Sequence, residues 1–335
     1  MVEEFLSPAQ LRRNSSSEVG YPLITIGITA FNAEKHIERA IISGAGQTWP
    51  AFEIIVVDDG STDETVERLK HIASRYPQVR LLLQDRNKGV AAARNRIVDE
   101  AKGEFIAFFD DDDVSDLNRL ASQYDRIVQY EQMLNDRAPV ICHTARRQIA
   151  LNGTERIEQT MGCARGTAPH GLAVVARLLW GEPLEDGYGA VATCSQMARA
   201  QTYRLLEGFD PNFRRSEDME FCVRLAAIGG HFIGISDPLV VQTLTHGSDK
   251  SLEKELFYKL QLIDKHRHLF PNPASYRFSR DWMRIKYMWL TRNRLKFAWH
   301  LLIKCIFHPF LTFSRIRYAM PQLSSNRSLS KLHRN

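Results

Sequence analysis

The chain has little with which to lock itself covalently. Its 335 residues hold five cysteines: Cys142, Cys163, Cys194, Cys222 and Cys305. The number is odd, the spacings are long and no CxxC pair occurs. These features argue against a disulfide framework and a cysteine-built zinc site, and for free thiols in a reducing cytosol. Long apolar runs are also missing. A bilayer-spanning helix needs roughly 20 consecutive apolar residues. The best stretch, Phe297 to Phe313, is interrupted by His300, Lys304 and His308. The first 20 residues, MVEEFLSPAQLRRNSSSEVG, contain no apolar core, so a loose arm is expected there rather than a secretory leader. No repeat or low-complexity tract is present. What remains is ordinary globular composition, 44% apolar and 25% charged, on a chain long enough to bury a full core.

Charge is unevenly placed. Residues 254–335 carry 17 Lys and Arg against 3 Asp and Glu, whereas the preceding 253 residues carry 27 against 36. An acidic body with a basic tail implies a negatively charged partner for the tail.

The first half alternates strand-like and helix-like segments. Strands are expected at 23–29, 53–57, 79–83, 105–109 and 139–144, with helices at 34–43, from Asp63 to about 75, at 89–101 and at 116–134. That rhythm predicts a mainly parallel sheet covered on both faces. In such sheets ligands bind beyond the carboxyl ends of the strands. The second half is less regular. A mobile loop is expected over 152–170, a strand over 188–196, a helix over 216–228, and strands at 231–235 and 239–243. From Leu252 onward the pattern is helical, basic and aromatic.

Three strand ends carry polar clusters. Asp58-Asp59-Gly60-Ser61-Thr62-Asp63 follows the second strand. A turn with a helix cap accounts for Gly60, Ser61 and Asp63; two adjacent carboxylates also suit hydrogen bonds to a nucleobase or ribose. Asp110-Asp111-Asp112-Asp113 follows the fourth strand. Four neighbouring carboxylates repel one another, and a hard divalent cation, Mg²⁺ or Mn²⁺, explains them better than a solvated loop does. Between the two lies Asn87-Lys88-Gly89-Val90-Ala91-Ala92-Ala93-Arg94-Asn95, where Gly89 permits close backbone approach and Arg94 could pair with an anion.

Taken together, ITIGITAFNAEKHIERAIISGAGQTW, EIIVVDDGSTDET, NKGVAAARN, GEFIAFFDDDD and GFDPNFRRSEDMEFCVRLAAIGG occur in one order across about residues 23–245. The chain resembles a family 2 glycosyltransferase of the GT-A fold, an α/β nucleotide-diphospho-sugar transferase with helices on both sheet faces. The resemblance implies a GT-A domain over 21–250, split into a nucleotide-binding half (21–115) and an acceptor half (116–250), then a helical basic extension over 251–335. By the same resemblance, Ala30, Asn32 and Glu34 cradle the nucleobase and Asp59 hydrogen-bonds it. Gly89 and Arg94 line the nucleotide and sugar. Asp110 and Asp111 face the ribose, the sugar or metal-bound water. Asp112 is the expected direct metal ligand, with Asp110 beside it and His246 as a late candidate. Asp218, in Ser216-Glu217-Asp218, is the expected catalytic base. Ser195, Gln196 and Met197 fall where the family faces the donor sugar or acceptor, unmarked by any motif.

The implied activity is metal-dependent, inverting transfer of one sugar from a nucleotide-sugar, a UDP-sugar by preference, in surface polysaccharide or glycolipid assembly. The family's QxxRW motif of processive synthases is absent. The implied acceptor is a saccharide or lipid-linked saccharide. Residues 277–335 interleave Trp, Tyr and Phe with 13 basic residues against Asp281 alone, which suits an anionic membrane surface better than nucleic acid. The expected place is the cytoplasm, peripheral on the inner face of the membrane. Two rival readings are a nucleotidylyltransferase and a non-catalytic nucleotide-sugar-binding scaffold. The first lacks its glycine-rich basic loop at 29–34, and the second has no need of both Asp112 and Asp218.

Overall fold

The computed structural model describes residues 20–134, 138–150, 152–244 and 251–316. The expected arm (all but Gly20), His246 and the tail beyond 316 lie outside the described residues. The amino-terminal half runs β1 (Ile24–Ala30), α1 (Ile37–Ala45), β2 (Phe52–Asp58), α2 (Thr65–Arg75), β3 (Val79–Leu83), α3 (Val90–Glu100) and β4 (Phe105–Asp110). Its four strands pair in parallel in the order β3-β2-β1-β4. Side chains alternate across this sheet. Ile54 and Val56 enter one core with Leu69, Leu120 and Ile127, while Ile55 and Val57 enter the other with Ala93, Ile97 and Phe221. Both faces are therefore buried, as the near-continuous apolar strands require. Gly27 lets α3 approach closely: a Cβ there would meet Ile97 Cγ2 at 2.6 Å.

The second half runs β5 (Asp113–Ser115), α4 (Arg119–Met133), β6 (Val140–Ile149), β7 (Glu155–Glu158), α5 (Gly171–Trp180), β8 (Gln196–Arg199), α6 (Ala200–Leu205), α7 (Glu217–Ala227) and β9 (His231–Thr243). Here the sheet becomes mixed. β8 is antiparallel to both β4 and β6, β9 runs parallel to β6, and β5 pairs antiparallel with β9. The expected loop over 152–170 contains β7, paired with β6, and Thr160 bridges to Ala190. The strand expected at 188–196 lies at 196–199, after a 3₁₀ turn over Thr193–Ser195. The two strands expected at 231–243 are one, its register shifted beside Ala145, opposite Pro238. Proline has no N–H to donate, so the ladder continues only past an irregularity there.

Helices α8 (Leu252–Lys265), α9 (Pro273–Leu290) and α10 (Arg294–Phe307) follow, and the described residues after His308, 309–316, are helical too. Leu262, Ile263 and Phe270 are buried in the same core as Val174, Leu179 and Phe221. Glu220 of α7 is fully buried and pairs with Arg224, Lys265 and His266. Burial opposes its ionisation, yet bonds from His266, Arg224 and Lys265 hold its carboxyl at about 2. α8 is thus tied to the body, whereas α10 has no buried residue. Among the described residues, no helix is long and apolar enough to cross a membrane.

Candidate functional site

The loops after β1 and β2 are laced together. Asn32 takes a left-handed conformation (φ 51°), its N–H donates to Ser61 Oγ (2.9 Å), and its Oδ1 accepts from the Thr62 N–H (2.9 Å). The Ala30 carbonyl accepts from the Asp59 N–H at 2.8 Å. Glu34 Oε2 accepts from the Glu64 N–H, and Ala33 N–H donates to Thr65 Oγ1. Asp63 Oδ1 accepts from the Thr65 N–H, so it satisfies the first N–H of α2 from two residues before the helix begins. The cost of ordering these short loops is offset by many local bonds, which leaves a rigid rim at the carboxyl ends of the strands.

The two neighbouring carboxylates divide their work. Asp58 accepts from the N–H groups of Gly60 and Ser61 and shapes the turn. Asp59 reaches across to the loop before α3, accepting from the N–H groups of Lys88 (2.7 Å) and Gly89 (2.8 Å) and from Gln84 Nε2 (2.9 Å). Burial raises its pKa against the pull of those backbone bonds. Gly89 sits at φ 96°, ψ 156°, a region that only glycine occupies cheaply.

At the centre lies Arg94. Its guanidinium is buried, bonds Glu217 Oε1 (2.6 Å) and Asp110 Oδ1 (3.3 Å), and lies 5.5 Å from the Phe209 ring centroid. One side chain from α3 therefore joins the end of β4 to the start of α7. Asn95 holds the preceding loop from both sides: its Nδ2 donates to the Phe209 carbonyl and its Oδ1 accepts from the Phe209 N–H. Ser216 stands at the N-cap of α7 in a left-handed conformation, φ 64°, and makes no capping bond with its side chain. Asp218, half-buried in the first turn, uses Oδ1 to accept from the Met219 N–H at 2.7 Å. Lys259 of α8 brings its ammonium to 3.2 Å from Met219 Sδ. Burial lowers the Lys259 pKa, and nearby Asp218 resists that shift.

The aspartate tetrad splits by direction. Asp111 Oδ2 accepts from the Phe31 N–H at 3.2 Å; burial first, then Asp112 and Asp110, push its carboxyl up to about 8. The Asp112 carbonyl accepts from Arg39. Asp113 opens β5, is 4% exposed, and has no hydrogen-bond partner for either carboxylate oxygen. Burial and the Asp110 and Asp112 charges push it, too, up to about 8. Among the described residues, Asp110, Asp113 and Cys194 offer ligand atoms that all lie within 4.8 Å of one another. Asp112 is not in that group. The Cys194 thiol is held neutral by burial and is no ligand for a hard cation, so the oxygens of Asp110 and Asp113 fit one best.

Four residues here escaped sequence reasoning. Asp113 was hidden inside a run of identical residues; only its inward strand position distinguishes it. Cys194 and Lys259 are brought in from remote elements. Arg214 donates to Asn87 Oδ1 (2.9 Å) and its guanidinium lies just under 4 Å from where a Cβ of Gly89 would stand. It also lowers the Asp59 pKa against burial. Nothing in local periodicity marks it.

The profile of the family described as "Glycosyl transferase family 2" matches residues 25–160. The *Escherichia coli* protein named UDP-Glc:alpha-D-GlcNAc-diphosphoundecaprenol beta-1,3-glucosyltransferase WfgD is 39% identical over 101 residues, 30% of this chain and 39% of that one. The chain spans about half the length, or less, of the curated relatives it matches. *Staphylococcus aureus* TarS 1–349, solved with UDP-GlcNAc, superposes with a TM-score of 0.58 at 19% identity, covering 79% of this chain and 72% of that one. A mannosyltransferase from *Pyrobaculum calidifontis*, solved with GDP-Man and Mn²⁺, superposes with a TM-score of 0.54 at 16% identity, covering 93% and 81%. At these identities the likeness is one of fold.

Proposed function

We propose that the chain, whose residues 25–160 match the profile described as glycosyl transferase family 2, is a member of that family and moves one sugar from a nucleoside-diphospho-sugar, a UDP-sugar, to a saccharide hydroxyl with inversion. The observation that carries this reading is Arg94. It ties the acid-rich end of β4 to the first turn of α7, so a donor and a proton acceptor would share one pocket. In this reading the rim built by Ala30, Asn32, Glu34, Asp59 and Gly89 receives the nucleoside, and Arg214 reaches the donor from the opposite loop. Asp110 and Asp113 would hold Mn²⁺ or Mg²⁺, with Asp112 on the loop between them. When bound, that cation stabilises the negative charge developing on the leaving diphosphate. The orphaned, buried oxygens of Asp113 and the raised pKa values of Asp111 and Asp113 favour such a counter-charge.

The remaining steps belong to the chain's own groups. Asp218 keeps Oδ1 on the Met219 N–H, which orients Oδ2 to take the proton of the attacking hydroxyl. The buried Arg94–Glu217 pair holds α7 in register with β4 without spending either charge on solvent. The acceptor is a saccharide or lipid-linked saccharide of a bacterial surface polysaccharide, met on the cytoplasmic side of a membrane.

The test is calorimetric titration of UDP, GDP and dTDP with and without Mn²⁺, followed by release of nucleoside diphosphate from the matching nucleotide-sugars. One nucleotide should bind in a metal-dependent manner. Asp218→Asn should keep that binding and lose at least 100-fold in turnover, the lower end for removal of a general base. Full activity in Asp218→Asn would remove it from this role; no nucleotide binding by the folded protein would sink the reading.

A further inference from the structure

α10 is a helix with its apolar side turned the wrong way for a soluble body. Leu295, Trp299, Leu302 and Ile306 recur at i, i+4, i+7 and i+11, and they are 87%, 63%, 53% and 64% exposed. At 100° per residue they share one narrow stripe about 16 Å long. Phe307, at the end of α10, and Phe310 and Phe313 after it are exposed as well, at 71%, 89% and 69%.

The stripe cannot simply roll inward. The other side of α10 is already used: Phe297 packs on Trp289 at 4.9 Å, Lys304 bonds Asp281 at 2.6 Å, and His308, just past its end, meets Phe278 edge-on at 5.7 Å. Those contacts lie on the helix face opposite the stripe. α9, in turn, is anchored through Phe278, Ser279 and Ile285, all buried. The helix is thus held rigidly with its apolar edge outward.

Charge selects the occupant. No Asp or Glu occurs from residue 282 to 335, while Arg294 and Lys296 stand on either side of the stripe in the first turn of α10, with Arg292 in the turn before it. Apolar side chains flanked by cations, with tryptophan among them, match the boundary between headgroups and acyl chains of an anionic bilayer.

We propose that α10, together with Phe310 and Phe313, forms an interfacial docking surface for an anionic membrane. The helix lies in the plane of the bilayer with Leu295, Trp299, Leu302 and Ile306 inserted. The inference rests on the proposed reading only for its purpose, which is to bring the donor site to a lipid-linked acceptor.

The full-length protein is tested by co-sedimentation with phosphatidylcholine vesicles with and without phosphatidylglycerol, at low and high salt. Nucleotide binding is measured on the same samples. Vesicles containing phosphatidylglycerol should capture the protein, salt should weaken capture, and tryptophan emission should shift to the blue. Leu295→Asn combined with Ile306→Asn should weaken capture at least tenfold and leave nucleotide binding unchanged. Met133→Asn, an exposed apolar residue on α4, should change neither. The proposal is overturned by failure to bind either vesicle, by equal capture on neutral vesicles, or by self-association in solution that the double variant abolishes. Loss of nucleotide binding with vesicle capture intact would instead count against the transferase reading.

Discussion

Single side chains carry the strongest constraints. Arg94 sits buried between two carboxylates contributed by different elements. Removing its charge in Arg94→Met would leave Glu217 buried without a counter-ion, a change that typically costs about 3–5 kcal/mol. Urea denaturation should show that loss. Arg94→Lys should be milder in stability yet still lower turnover, because one ammonium cannot span two carboxylates as a planar fork does. Glu220 offers a pH-dependent counterpart. Its carboxyl ionises at about 2 in the fold and at an ordinary 4.5 otherwise. The stabilisation is fully present above 4.5 and disappears as pH falls towards 2. The shift corresponds to about 3 kcal/mol. Glu220→Gln should therefore unfold more easily than the parent at pH 7, and the difference should close progressively between pH 4.5 and 2 in denaturation curves.

At the scale of elements, the site depends on how loops are pinned to strand ends. Asp59 holds the loop before α3 through two backbone N–H groups, one of them from Gly89. Gly89→Ala leaves van der Waals room for the methyl, since Arg214 is 3.8 Å away, but the backbone conformation resists it. The strain is about 1–3 kcal/mol. The loop should relax by giving up the Asp59 bonds, so nucleotide affinity should fall by roughly tenfold or more, read by calorimetry, while the melting temperature drops only a few degrees. A β-branched residue there should be worse. Arg214→Ala, by contrast, should weaken nucleotide binding without a change in melting temperature, because it is exposed and supports no core.

For the whole molecule, the basic extension is two things. α8 and α9 complete a core, with Leu262, Ile263 and Phe270 packed against α5 and α7. A chain ending at residue 250 should aggregate or unfold without a cooperative transition, because that core face and Glu220 would be bare. A chain ending at residue 292 keeps α8 and α9 and should still unfold cooperatively by circular dichroism.

Much of this was legible beforehand. The spacing of apolar runs marked β1 to β4 within one residue and their intervening helices within three, because a strand buried on both faces leaves a dense, short signature. The acidic clusters fall at the carboxyl edge of the sheet, the edge to which topology alone directs ligands. What tertiary structure decided was pairing at a distance. Asp113 rather than Asp112 turns inward, beside Asp110, because β5 pairs with β9. Arg94 faces Glu217, Arg214 covers Gly89 and Lys259 stands beside Met219 because segments more than 100 residues apart, or some 40 in the last case, are folded together. Local sequence sets which side chains prefer burial and which turns can form; the partner that satisfies a buried charge is chosen only when the chain closes on itself.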